Sequence, residues 1–279
     1  MKRLHCMNIG KGFDAPLTEQ IDLLKKTGFD GFFISWRGDE DVRLCARYGR
    51  ETGMAFQSLH APFTKMKDMW EKDEEKAQIA LNELLHCLHL CAEEGIPLMV
   101  VHAFIGFEDH TPTAEGLERF GQLAAAAEKE KVLLAFENTE GEEYLDALME
   151  AFRGNPWVGF CWDSGHEVCY NRGQDLLKKY GDRLLCTHIN DNLGISDPEG
   201  SITWLDDLHL LPFDGVINWQ DAASRLHRCG YRGALTMEMN VKSKPGRHEN
   251  DAYAALPLEV YFARCHERLQ RIARMLEAL

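Results

Sequence analysis

The side chains best suited to chemistry in this 279-residue chain are histidines and carboxylates in short motifs. They are His60 in SLHAPF, His102 in VVHAF, Glu137 in AFENTE, Asp163 and His166 in FCWDSGHE, His188 in THINDN, Asp207 and His209 in DDLH, and Glu238 in TMEMN. Five imidazoles and four carboxylates gathered in one place would repel one another, or stay unsatisfied, unless a cation organised them. A divalent metal ion supplies that charge. Mixed His, Asp and Glu ligation without thiolate suits Zn²⁺ or Mn²⁺, and Fe²⁺ and Co²⁺ are also compatible. Taken singly, each of these residues is more often a hydrogen-bonded structural group than a ligand. Their recurrence is what points to a metal.

Each motif closes, or soon follows, a short apolar run rich in Val, Ile, Leu and Phe. Eight such runs are predicted as strands, over residues 4–9, 31–35, 55–60, 98–102, 132–137, 158–163, 184–189 and 234–238. Longer amphipathic segments such as LTEQIDLLKKTG and WQDAASRLHRCG alternate with them, and a last helix is expected over 256–279. The rhythm predicts an α/β protein in which residues 1–279 form one (β/α)₈ barrel. All strands of such a barrel end on one face, so distant residues converge on an axial pocket. An open doubly wound sheet is the alternative, but its phosphate turn would read GxGxxG where this chain has NIGKGFDAP.

Composition narrows the partners. Against 45 Asp+Glu stand 31 Lys+Arg, a formal charge of -14 that argues against nucleic acid or an anionic membrane. The nine cysteines are odd in number, scattered and without a CxxC pair, which fits reduced thiols and a cytoplasmic location. The N-terminus MKRLHCMNIG does not read as a signal peptide. No stretch approaches the roughly 20 apolar residues that cross a bilayer. The segment HCLHLC mimics a zinc motif, but on a helix His86 and His89 share one face while Cys87 and Cys91 share another. His5, His110, His227, His248 and His266 are expected to be packing or surface residues. Trp36, at the end of the second strand, is a candidate apolar wall or flat platform for a ligand. Lys242, with Lys244 and Arg247, follows the last strand, where many barrels grip phosphate. Homo-oligomerisation is left open.

The combination of HAPF, VVHA, Glu137-Asn138, DSGH, HIND, DLH and the terminal Met-Glu resembles the xylose-isomerase-like TIM barrels. That group contains sugar and sugar-phosphate isomerases and epimerases, together with the endonuclease IV type of apurinic endonuclease (AP endonuclease family 2). The resemblance implies one divalent ion held by Glu137, Asp163, His188 and Glu238, with both glutamates in proton transfer and His166 touching substrate; His60 is a further candidate substrate contact. The implied activity is isomerisation or epimerisation of a ketose, aldose or sugar phosphate through a metal-stabilised enediolate. In the endonuclease IV branch all nine positions are ligands of a three-zinc cluster, which gives the alternative of a zinc-dependent phosphodiester hydrolase. A noncatalytic binding barrel would not need the acid–base pair. One departure stands out: where the family has Pro-Gly-x-Gly after the DxH histidine, this chain reads LLPFDG, with Phe213 in place of the first glycine.

Overall fold

The computed structural model describes residues 3–10, 12–108 and 111–279, so His110 lies outside the described residues. Its strands are β1 (His5–Ile9), β2 (Gly31–Ser35), β3 (Ala55–His60), β4 (Leu98–His102), β5 (Leu133–Glu137), β6 (Val158–Asp163), β7 (Leu184–His188) and β8 (Leu235–Met237), with helices between them. All pair in parallel, in the order β7-β6-β5-β4-β3-β2-β1-β8. An open sheet would end at β7 and β8, but these two edges meet. Ile189 bridges Met237, Ile189 N–H donates to Thr236 O at 2.8 Å, and Glu238 N–H donates to Ile189 O at 3.2 Å. The result is a (β/α)₈ barrel.

The pleat sends alternate side chains to opposite faces of each strand. Outward residues such as Met99, Val101, Leu134, Phe136 and Phe160 pack under the helices in one continuous hydrophobic core. Fully burying each is worth roughly 1.5–3 kcal/mol. A separate small cluster of Leu98, Val100, Ala135, Cys161 and Cys186 comes from the other face and fills the barrel axis. Polar residues on those same inward rows are therefore favoured where the axis opens to solvent, at the strand ends; within the axis, Gln57 Nε2 meets Cys186 Sγ at 3.4 Å.

The final helix runs over Leu258–Glu277 and buries Tyr261, Phe262, Cys265, Leu269, Ile272 and Leu276, a 3.6-residue stripe. It starts later than expected because Pro257, at φ -54°, sits at its N-cap and lacks the N–H of a helix interior. In the helix Glu74–Glu94, Cys87 and Cys91 are buried, while His86 reaches Asp39 and His89 reaches Glu93 and Glu130. His5 packs 3.3 Å from His266, and His227 and His248 are exposed. Among the described residues, no helix is long and apolar enough to cross a membrane.

Candidate metal centre

Five of the nine motif residues are the last residue of a strand: His60, His102, Glu137, Asp163 and His188 close β3 to β7 in succession. Glu238 follows β8 directly. His166 lies one helical turn beyond Asp163, whose side chain caps the short helix Ser164–Cys169 by accepting the His166 N–H at 2.7 Å. Asp207 and His209 come from the loop after β7, which is pinned back by backbone bonds in both directions between Asp191 and Leu210.

The buried Glu137 carboxylate is the hub. Its Oε2 is 3.1 Å from His60 Nε2 and 3.4 Å from His102 Nε2, and its Oε1 is 2.9 Å from His188 Nδ1. His188 Nδ1 is also 2.8 Å from Glu238 Oε2. Among the motif residues, three groups of side chains bring their ligand atoms within 4.8 Å of one another: Glu137, Asp163, His188 and Glu238; His60, His102 and Glu137; and His166, Asp207 and His209.

The hydrogen bonds around the imidazoles suit metal ligation. His60, His166 and His209 each place Nδ1 against a backbone carbonyl, Ala61 O at 2.8 Å, Asn138 O at 3.0 Å and Glu238 O at 3.1 Å. A Nδ1–H donated to a carbonyl leaves the Nε2 lone pair facing inward, which is the tautomer a metal requires. His188 is reversed and presents Nδ1 to the carboxylates, while its buried Nε2 and the Nδ1 of His102 have no hydrogen-bond partner among the described residues. Aromatic rings hold the imidazoles in plane: Phe33 stacks on His188 at 4.7 Å, Phe63 on His102 at 4.6 Å and Tyr170 on His166 at 4.8 Å.

Electrostatics point the same way. Burial penalises the Glu137 and Asp207 carboxylates, yet the imidazoles beside them hold both well below the usual range. Glu238, also penalised by burial, is drawn down to about 2 by His188. Burial disfavours charge on His188 and His166, but facing carboxylates push both well up, and Asp207 lifts His209 to about 9. Burial pushes Asp163 up to about 6 and His102 down. The ion-free network thus holds protons on His188 where a metal would need a lone pair. Ion binding at Glu137, Asp163, His188 and Glu238 should release about one proton per ion near neutral pH, and affinity should weaken as pH falls from about 8 to 5. Titration calorimetry in buffers of different ionisation enthalpy measures this; buffer-independent heats would remove His188 from the ligand set.

The roles of several supporting residues were not legible in the motifs that contain them. Asn138 Oδ1 accepts the Asp163 N–H at 2.8 Å and its Nδ2 donates to Asp163 O at 2.9 Å, locking β5 to β6 beneath the site. Asn190 Nδ2 donates to Asp163 Oδ2 at 2.8 Å. The glycine of DSGH has a steric reason, since a Cβ on Gly165 would lie 1.9 Å from Asn190 Oδ1. Gly165→Ala should therefore push Asn190 off Asp163 and weaken metal binding about 10- to 100-fold, read by competition with a chromophoric chelator. Unchanged affinity would show that Asn190 does not position Asp163. Cys161 and Cys186 stand two residues before Asp163 and His188, hence on the same face, and group with His188 just below the site. Period-two spacing would have revealed them.

Asp191 anchors the departing loop. Its carboxylate accepts from the backbone N–H of Phe213 and Ile217 and from Trp219 Nε1, at 2.9, 3.1 and 2.8 Å. Phe213 keeps a glycine-like φ of 77°, a conformation costing about 1–3 kcal/mol, under an Arg271 guanidinium 3.9 Å from its ring centroid. Gly215 is retained because a Cβ there would meet Asn192 O at 2.3 Å.

The candidate substrate contacts divide. His60 and His166 are in the cluster. Trp36 packs against the hydrophobic core and turns Nε1 to Asp39 at 3.1 Å. Lys242 pairs with Asp14 at 3.1 Å on the surface, and it is Lys244 that reaches the cluster, 3.1 Å from Asp207. A cavity of about 340 Å³ opens beside the site between Phe107, Glu140, Tyr170 and Arg172.

A closed (β/α)₈ barrel with carboxylates and imidazoles converging at its C-terminal mouth defines the class of protein. The chain belongs to the xylose isomerase-like TIM barrel family, whose model matches residues 21–260. It is 26% identical to the uncharacterised protein y4fM of Sinorhizobium fredii (strain NBRC 101917 / NGR234), over 92% of this chain and 93% of that one. Among solved structures it is similar to D-psicose 3-epimerase with D-tagatose from Clostridium cellulolyticum H10, at TM-score 0.74 and 16% identity over 98% of this chain and 99% of that one. It is also similar to the IOLI protein with a binding zinc atom, at TM-score 0.75 and 19% identity over 96% and 97%. Against a xylose isomerase-like TIM barrel/4-hydroxyphenylpyruvate dioxygenase fusion protein, at TM-score 0.76 and 17% identity, 99% of the chain spans 43% of the longer protein.

Proposed function

We propose that this protein is a divalent-metal-dependent isomerase or epimerase of a ketose, aldose or sugar phosphate, with Zn²⁺ or Mn²⁺ as its ion. The observation that carries the reading is the meeting of Glu137, Asp163, His188 and Glu238 within 4.8 Å, three carboxylates around one imidazole at the barrel mouth. The similarity to a D-psicose 3-epimerase and to a zinc-binding barrel supports it.

When bound, the ion polarises adjacent carbonyl and hydroxyl oxygens of the sugar and acidifies the C–H beside the carbonyl. Glu238, the one member of that set whose side chain is still 19% exposed, takes the proton from the substrate carbon. Glu137 acts opposite it as the second proton carrier, held in place by the imidazoles at both of its oxygens. Each transfer is worth about 10²- to 10⁴-fold. His60 and His166 orient the sugar hydroxyls, and the cavity at Tyr170 receives the rest of the sugar.

The additional groups His60, His102, Glu137 and His166, Asp207, His209 favour a second reading, a three-zinc phosphodiester hydrolase. One experiment separates them. Metal-loaded protein is screened against ketoses and their phosphates for solvent-deuterium exchange at the carbon next to the carbonyl, and in parallel for incision of abasic DNA. Exchange without incision is expected; incision without exchange on any sugar would replace the isomerase reading with the hydrolase.

A further inference from the structure

The corner formed by His166, Asp207 and His209 differs from the Glu137 set in its charge. Asp207 is its one carboxylate, whereas Glu137, Asp163 and Glu238 surround His188 with three. The Asp207 charge already has a cation: Lys244 Nζ lies 3.1 Å from Asp207 Oδ2, the same oxygen that faces His209 Nε2 at 2.9 Å. Lys244 is largely withdrawn from solvent, at 16% side-chain exposure, and its ammonium sits 5.4 Å from the centroid of the Trp204 ring.

Its position is built rather than incidental. The loop after β8 is docked onto the loop carrying Asp207 and His209 at further points. Asn250 Nδ2 donates to Leu208 O at 3.1 Å, Arg247 donates to Leu205 O at 3.4 Å, and the Arg247 guanidinium is 3.7 Å from Asp206. These contacts seat the lysine stem beside Asp207 whether or not the ammonium is engaged.

We propose that Lys244 is the resident cation of the His166–Asp207–His209 corner and keeps a divalent ion out of it. A dication there would share one carboxylate with an ammonium about 3 Å away, so two like-charged groups would compete for a single negative charge in a site with little water to screen them. The Glu137 set, with more carboxylate than imidazole and, among the described residues, no lysine paired to it, keeps its ion. The inference rests on the reading that the Glu137 set holds a divalent ion, and it assigns Lys244 the part of setting how many ions the barrel mouth accepts.

The test counts metal. Wild type, Lys244→Met, Lys244→Arg and the double variant Lys244→Met/His209→Ala are stripped with chelator, loaded with excess Zn²⁺, desalted and measured by native mass spectrometry and elemental analysis. Lys244→Met should gain about one Zn²⁺ per chain over wild type, Lys244→Arg should match wild type, and the double variant should lose the gain. Two results overturn the proposal while leaving the Glu137 ion standing: Lys244→Met equal to wild type, or a His209→Ala single variant that holds one ion fewer than wild type. Wild type that binds no Zn²⁺ would instead overturn the Glu137 reading, and the lysine's part with it.

Discussion

Glu137→Gln is expected to lower the rate of proton exchange on the true sugar by about 10²- to 10⁴-fold while leaving the barrel folded. The amide has the shape of the carboxylate, so the packing around it survives. Its charge does not. The native oxygens face His188 Nδ1 at 2.9 Å and His60 Nε2 at 3.1 Å. An amide would turn its NH₂ toward one of those nitrogens, and facing the protonated His188 Nδ1 it would forfeit that contact. Loss of metal and loss of proton transfer are separated by raising Mn²⁺: occupancy measured by elemental analysis should recover, and the exchange rate should not. A Glu137→Gln enzyme at full rate would remove Glu137 from the acid–base pair. Glu238→Gln, at the partly exposed side chain, should show the rate loss with the smaller loss of metal.

Stripping the ion should cost stability as well as activity. An ion held at a thousand times its dissociation constant stabilises the folded state by about 4 kcal/mol, and for a protein of this size that shifts the melting temperature by about 10 °C. The ion-free site must instead balance Glu137, Asp163 and Glu238 with imidazolium protons, and Asp163, which burial pushes up to about 6, gives up its own proton between pH 6 and pH 8 and adds a further buried negative charge. Melting curves with and without chelator, at pH 6 and pH 8, should therefore diverge more at the higher pH. Superimposable curves at both values would deny that the cluster holds a metal in the folded protein.

Much of this was legible before any coordinates. An apolar run that ends in a single polar residue marks both the strand and the point where its inward row leaves the core, as VVHAF does at His102 and FCWD does at Asp163. Period two then places Glu137 and Ala135, or His188 and Cys186, on the barrel axis, because successive side chains of a strand must alternate. The strand bounds slipped mainly at β8, whose pairing to β7 narrows to the bridge at Ile189 and Met237.

What chain order alone determined was the composition of the candidate site: which residues end strands, that all strands of a barrel end together, and that such a set is suited to a cation. Only the tertiary structure decided which of them face one another. Lys244 and Lys242 are indistinguishable in KSK, yet one reaches Asp207 and the other Asp14. Asn190 and Asp191 are neighbours in HIND, yet one steadies Asp163 and the other gathers the loop through Phe213 and Trp219. The reason is physical. Strand periodicity is a local property that a few residues impose, whereas the direction of a loop depends on contacts between segments far apart in the chain, and a one-residue difference in that direction changes the partner of every side chain it carries.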